Sequence, residues 1–459
     1  MSYIRTSPLK LSMIIAIALT SIASASATSL LDVYDQAAQS DPTIRAAEAN
    51  RLASREARPQ AFAAFLPNIS ANIGWAGTSS GGDALVASSS GMGATTSTTT
   101  TSTTRGGTYG ISATESINLP NFLRSLQRTD YTLAQADLTY HNAELSLITR
   151  VATRYFNVLS ALDSLKAAQS NLESLNQQLE RAEKRYEVGL AAITDVQEAR
   201  ASRDSANSRV ILAKRTLATN QELLREITGV AAESLAAPSD DMPLITPEPQ
   251  NEDEWVQKAF SGNIDLASSR LSLETATFDV GTQKLTRFPT LTLGANYSNK
   301  DTYSNFDIFS NTTTHNWSST WLSAGISVPL FSGGSITSKI RQSVYQQRAA
   351  RENLEQVTRA TERAARDAYL GLQSSISQVQ ANKAALESSR LALQATEAGF
   401  NVGTRTTIDV LTSRDNLLTA EQNYASSRYN YITSLITLKT ATGELTREDL
   451  QLINSWLTQ

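Results

Sequence analysis

The chain has 459 residues, and 40 basic side chains against 44 acidic ones leave a formal charge of −4, which argues against counterion-driven binding of nucleic acid. It contains no cysteine, which excludes disulfides, thiol catalysis, thiolate metal sites and lipidation at an N-terminal cysteine. Its two histidines, His141 and His315, have no nucleophile elbow, phosphate loop or metal-ligand spacing around them, so the sequence points to no enzyme, no cofactor and no metal site.

Residues 1–27 read as a secretory signal peptide: Arg5 and Lys10 flank the start of an apolar run, Leu11 to Leu19, and Ala25-Ser26-Ala27 supplies small residues for cleavage. That run is shorter than the ~20 residues a bilayer-spanning helix needs. No later stretch reaches about 18 uninterrupted apolar residues, so any membrane crossing has to use β-strands.

A helix is predicted over about 30–62. After Pro67, Ile69, Ala71, Ile73 and Trp75 alternate with Ser70, Asn72, Gly74 and Ala76, the period of a half-buried strand. Residues 77–105, almost all Ser, Thr, Gly and Ala, read as an exposed loop. A returning strand follows through Tyr109, Ile111, Ala113 and Ile117. From Asn121 to about Val188 no Pro or Gly interrupts a helical pattern, which makes a rod of about 100 Å at 1.5 Å per residue. Gly189 then offers a left-handed cap, Thr194 and Gln197 read as a capping box, and a shorter helix runs from Asp195 to about Thr228. Asp195 lies in that helix's first turn, where a carboxylate suits the positive helix end.

Residues 237–253, rich in Pro and acids, read as a linker. The pattern then returns: a helix over about 253–285, a strand with Leu291, Leu293, Ala295 and Tyr297, a polar loop from Lys300 to Asn316, and a strand with Leu322, Ala324, Ile326 and Val328. A second long helix over about 335–400 carries Gly371 inside it and Gly399 just before its end, and Gly403 and Asp409 introduce a last helix to about Thr442. The match is literal in places: Tyr186-Glu-Val-Gly189 with Asp195-Val196 corresponds to Phe400-Asn-Val-Gly403 with Asp409-Val410, and Leu172-Glu-Ser174 to Leu386-Glu-Ser388. Such repetition predicts an internally duplicated architecture, with residues 28–236 as the first repeat and 254–459 as the second. The apolar helix positions are small and mixed (Ala167, Ala168, Leu172, Leu175, Leu179, Ala182), a wide stripe suited to neighbours on two sides.

Strands of about ten residues with one apolar and one small polar face carry the signature of an outer-membrane barrel, and Trp75, Tyr109, Tyr297 and Trp321 are candidates for its aromatic girdles. Four strands cannot close a cylinder, and an open edge in lipid leaves backbone groups unpaired. The chain therefore has to oligomerise; two copies supply eight strands and three supply twelve, and strand physics does not choose between them.

In Tyr155-Phe-Asn-Val-Leu159, the 188–197 and 402–411 turns and Ala425-Ser-Ser-Arg-Tyr-Asn-Tyr431, the sequence resembles the TolC-type outer-membrane exit ducts of Gram-negative efflux pumps and type I secretion systems. The resemblance implies a mainly α fold with a membrane β-barrel: a homotrimer whose twelve-stranded outer-membrane barrel continues into a long periplasmic α-helical barrel with an equatorial belt. It implies a passive, gated duct for drugs or secreted proteins, lodged among outer-membrane lipids. The implied partners are a periplasmic adaptor and an inner-membrane pump or ABC transporter.

By the same resemblance Thr194, Asp195, Arg405 and Phe400 occupy the gate latch, Asp409 and Thr412 the pore constriction, and Val188, Gly189, Val402 and Gly403 the adaptor-docking tips. Two positions depart from the family pattern. Thr412 replaces a carboxylate and Phe400 replaces a tyrosine, so the constriction is expected to be less negative and the latch one hydrogen bond weaker unless Glu198, matched to Thr412 in the first repeat, compensates. The rival reading is a periplasmic coiled-coil adaptor or adhesin, which has no need for two matched pairs of amphipathic strands.

Overall fold

The computed structural model describes residues 27–87, 95–231, 234–239, 242–306 and 311–458; apart from Ala27, the expected signal segment lies outside them. The chain runs α1 (Leu30–Ser40), α2 (Pro42–Arg55), α3 (Ala57–Ala63), β1 (Asn68–Ala87), β2 (Thr95–Ile117), α4 (Leu119–Glu187) and α5 (Ile193–Thr228). After β3 (Ala237–Pro238) come α6 (Glu252–Gly262), α7 (Ile264–Leu285), β4 (Thr290–Phe306), β5 (Asn311–Ser327), α8 (Ser335–Asn401), α9 (Thr407–Thr442), α10 (Arg447–Ser455) and β6 (Leu457–Thr458).

The helix expected over 30–62 is three helices. Pro42 pushes the preceding Asp41 out of the helical region, to φ −63 and ψ 118, and the Asp41 carboxylate caps α2 by accepting from the Thr43 amide at 2.9 Å. Arg150 of α4 donates to the same carboxylate at 2.5 Å. The helix expected over 253–285 is likewise two, divided at Asn263, whose side chain accepts from the Leu266 amide at 3.0 Å and donates to the Ala441 carbonyl at 3.1 Å. An Asn that satisfies neighbouring backbone groups this way competes with helix continuation.

The long strands form one antiparallel sheet in the order β1-β2-β4-β5. They have 20, 23, 17 and 17 residues, well beyond the expected ten, because the polar stretches taken for loops are paired backbone. Gly77 faces Arg105 and the ladder continues to Ala87 opposite Thr95; Lys300 likewise faces Trp317 and Phe306 faces Asn311. Thr is β-branched and fits an extended pleat, so a polar composition can hide a strand.

Register places Ile69, Ala113, Ala295 and Leu322 in one rung, and Ala71, Ile111, Tyr297 and Thr320 in the next. On the opposite face Ser70 meets Ser112 and Ser298 meets Ser319, both at 2.8 Å. Trp321 pairs with Asn296 on that polar face, so it cannot share a girdle with Trp75, Tyr109 and Tyr297: with a period of two, its sequence parity puts it on the other side. Nothing among the described residues covers the apolar face, where Ile73 is 90% and Leu322 83% exposed. No helix among the described residues is long and apolar enough to cross a membrane.

At 1.5 Å per residue, α4 and α8 are rods of about 100 Å. Each packs along one part of its length against its hairpin partner (α5 or α9) and along another against the segmented helices of its own half (α2 and α3, or α6 and α7), and α4 also packs against α9 and α7 of the second half. The main apolar core, with Tyr155, Phe156, Leu372, Tyr431, Ile436 and Leu450, lies where α1, the ends of α5 and α9, the 237–253 segment and α10 converge. That segment is pinned to the rods. The Tyr155 hydroxyl donates to the Ala236 carbonyl at 2.7 Å, Arg428 donates to the Pro238 and Ser239 carbonyls at 2.6 and 2.7 Å, and the Ile245 amide donates to the Tyr431 hydroxyl at 2.7 Å. β3 pairs with β6, which fastens Leu457 and Thr458 to the same place.

Candidate functional site

The ends of α4 and α8 farthest from the sheet each turn through a glycine with positive φ, Gly189 at +74° and Gly403 at +82°. The Leu190 amide reaches back to the Arg185 carbonyl at 2.7 Å and Gly189 to Tyr186 at 2.9 Å; Thr404 reaches Gly399 at 2.9 Å and Gly403 reaches Phe400 at 3.1 Å. Both turns are thus Schellman caps, which leave Val188, Leu190 and Val402 exposed at the tips.

The helices that leave these turns start differently. Thr406 caps α9: its hydroxyl accepts from the Asp409 amide at 3.3 Å, while its own amide and hydroxyl donate to the Asp409 carboxylate at 2.8 and 2.9 Å. In α5 the capping position is Ala192, not Thr194 as the sequence reading had it, and Asp195 accepts only from the Ala192 amide, at 3.4 Å. Thr194 and Gln197 lie inside the helix, where they cannot form a box; the repeat alignment, which matches Ala192 to Thr406, carried the right register. Replacing Thr406 with Ala should destabilise the start of α9 by about 1 kcal/mol, and Ala192→Thr should stabilise that of α5 by a similar amount. Amide exchange over the first turns of α5 and α9 should show opposite changes for the two variants.

The Thr406 amide, then its hydroxyl, hold the Asp409 carboxyl below the ordinary carboxylate range, with Arg405 adding to the effect and partial burial opposing it. The folded value is depressed, so this contribution is complete above the unfolded value and disappears as pH falls through the lower folded one. The cap should therefore survive at pH 5 and fail only on strong acidification, seen as faster exchange at Asp409 and Val410.

Four ties at the tips escaped the sequence reading. Arg200 meets Glu183 at 3.2 Å and Arg414 meets Glu397 at 2.5 Å, one staple in each hairpin at matched repeat positions. Comparing charges across the repeat would have found them. Two further ties join the hairpins: Arg209 of α5 donates two hydrogen bonds to Asp415 of α9, at 3.0 and 3.3 Å, and the Arg185 guanidinium lies 5.1 Å from the centre of the Phe400 ring. Neither is duplicated, so repetition gave no signal. Glu198 and Thr412 line one groove of about 500 Å³ together with Arg209, Asp415 and Ile408. Among the described residues Thr194 and Arg405 make no hydrogen bond or ion pair to the other hairpin, and the Arg405 stem lies beside Gly399 in its own turn.

The sequence pattern of the family described as outer membrane efflux protein matches residues 33–230 and 255–444. The chain belongs to that family. It is 32% identical to the outer membrane protein TolC of Vibrio cholerae over 433 residues, 94% of each chain. It is 26% identical to the alkaline protease secretion protein AprF of Pseudomonas aeruginosa, over 93% of this chain and 87% of that one. Its fold superposes on the Campylobacter jejuni CmeC outer membrane channel with a TM-score of 0.69 at 17% identity, covering 94% and 90% of the two chains. These relatives are outer-membrane channel and secretion proteins, and none of their names denotes an enzyme.

The tip of this family member is thinly cored. Among the described residues its packed apolar cluster is Leu179, Ala182, Val196 and Ala199, within the α4–α5 hairpin, far smaller than the one around Tyr155 and Tyr431. Elements with few buried apolar contacts open at the lowest free-energy cost.

Proposed function

We propose that the chain is a passive, gated exit duct of the outer membrane that carries drugs or secreted proteins across the periplasm. Three copies join their sheets edge to edge into a twelve-stranded barrel, and their helices form the periplasmic tunnel. The observation that carries this reading is a four-stranded sheet that, among the described residues, has two open edges and an uncovered apolar face, seated on helix pairs about 100 Å long. An adaptor or adhesin would have no use for that face.

In this duct the adaptor docks on the exposed tips around Val188, Gly189, Val402 and Gly403, and an inner-membrane pump or ABC transporter supplies cargo and energy. Thr194, Asp195, Arg405 and Phe400 form the latch, with Thr194 and Arg405 meeting partners on neighbouring subunits. Asp409 rings the constriction, Thr412 leaves one charge absent there, and Glu198, which faces the same groove as Thr412, restores it.

The purified mature protein should migrate as a heat-sensitive trimer, need detergent, and open cation-selective channels in planar bilayers. A water-soluble monomer would overturn the reading. Glu198→Gln should weaken block by multivalent cations; unaltered block would exclude the compensating role and leave the duct intact.

A further inference from the structure

Glu115 lies on β2 two residues before the strand's end and shares the apolar face with Ala113 and Ile117; its rung partners are Leu293 on β4 and, beyond it, Ala324 on β5. Both of its carboxylate oxygens are shielded from solvent and accept no hydrogen bond among the described residues. They border a cleft of about 590 Å³ on that face, whose walls include Pro67, Ala113, Leu293, Ala295 and Leu322. None of the cleft's lining side chains is basic. A solvent-shielded carboxylate without a partner is costly, and among the described residues no cation pairs with this one.

We propose that this cleft binds an amine-bearing phospholipid, with the headgroup ammonium on Glu115 and an acyl chain along Leu293 and Leu322. The inference rests on the membrane reading above, in which this face meets lipid. Two features select this occupant. The acid sits where the sheet gives way to α4, which starts at Leu119, and in the proposed duct that junction lies at the headgroup level of the inner leaflet. The site combines a single negative charge with apolar walls, which matches a zwitterionic amine lipid and repels an anionic one.

The test uses the detergent-solubilised trimer titrated with phosphatidylethanolamine or phosphatidylglycerol and read by native mass spectrometry and thermal melting. The wild type should retain the ethanolamine lipid and melt higher with it, while the glycerol lipid should do neither. Glu115→Gln should weaken retention by about tenfold or more, the loss expected for one charge-assisted hydrogen bond. Ala295→Phe, which fills the cleft and keeps the acid, should also abolish retention, so the proposal stays testable if the first variant assembles poorly. Equal retention by the wild type and Glu115→Gln, or equal retention of the two lipids, overturns the lipid site. A trimer that conducts but ignores headgroups overturns the site alone, whereas failure to form any detergent-dependent trimer overturns the duct as well.

Discussion

Removing the two tip ties between the hairpins, with Arg209→Ala and Phe400→Ala together, should leave the channel open for much of the time and raise its mean conductance severalfold in planar bilayers. The Arg209–Asp415 pair is about half exposed, with side chains at 48% and 53%, so it contributes only about 0–1 kcal/mol. The contact of Arg185 with the Phe400 ring adds about 0.5–1 kcal/mol. One subunit therefore loses ~0.5–2 kcal/mol, and three copies together lose ~1.5–6 kcal/mol, the upper end of which matches the ~5.5 kcal/mol that separates a mostly shut from a mostly open population. The apolar cluster at the tip lies within the α4–α5 hairpin, so it does not hold that hairpin to the other one.

Arg200→Ala is the control, since it breaks a staple inside one hairpin and leaves both cross-ties standing. High salt should act in the same direction as the double variant, because the screening length falls from about 10 Å at 0.1 M to about 3 Å at 1 M. If the double variant conducts like the wild type, these contacts do not hold the gate.

Gly443→Ala should abolish assembly, whereas Gly229→Ala at the matched position should be tolerated. Both residues cap a helix in the left-handed region, at φ +72 and +73, so both substitutions carry about 1–2 kcal/mol of backbone strain. Their surroundings differ. At Gly229 the nearest atom to an added Cβ is the Ser40 Cβ at 3.7 Å, an ordinary contact. At Gly443 the added Cβ would lie 2.0 Å from the Gly262 carbonyl oxygen, and Gly262 in turn approaches the Thr442 carbonyl too closely for any side chain. The ends of α6 and α9 touch backbone to backbone beside the main core, so separating them disturbs that core, and a total above about 4 kcal/mol is expected. Thermal melting and the yield of heat-sensitive trimer should rank wild type, Gly229→Ala and Gly443→Ala in that order, with the last far below the others. Equal losses for the two variants would refute the close-approach argument.

Much of this was legible before any coordinates. Helical periodicity, free of Pro and Gly from Asn121 to Val188 and crossed only by isolated glycines in the second half, placed α4 and α8 to within about two residues, and the alternation after Pro67 and Pro289 located the apolar part of the sheet. Local signals failed where they competed. Thr-rich stretches read as loops because composition does not reveal a partner strand, and Thr194 looked like a cap because cap chemistry is generic along a polar turn. Asp41 and Asn263 broke helices that periodicity ran together, since the pattern of apolar residues continues past a single extended residue.

What the sequence determined by itself was periodic and local: rod length, turn position, strand parity and the doubled register. What only the tertiary structure decided was pairing at a distance. Arg209 with Asp415, Arg185 with Phe400, Gly443 against Gly262 and the unpartnered Glu115 each depend on which faces of separate elements meet, and no spacing along the chain encodes that. A helix or strand repeats its own geometry residue by residue, so a run of side chains reveals it. A contact between elements depends on how long rods lie against one another, and that is set by the sum of all their packed side chains.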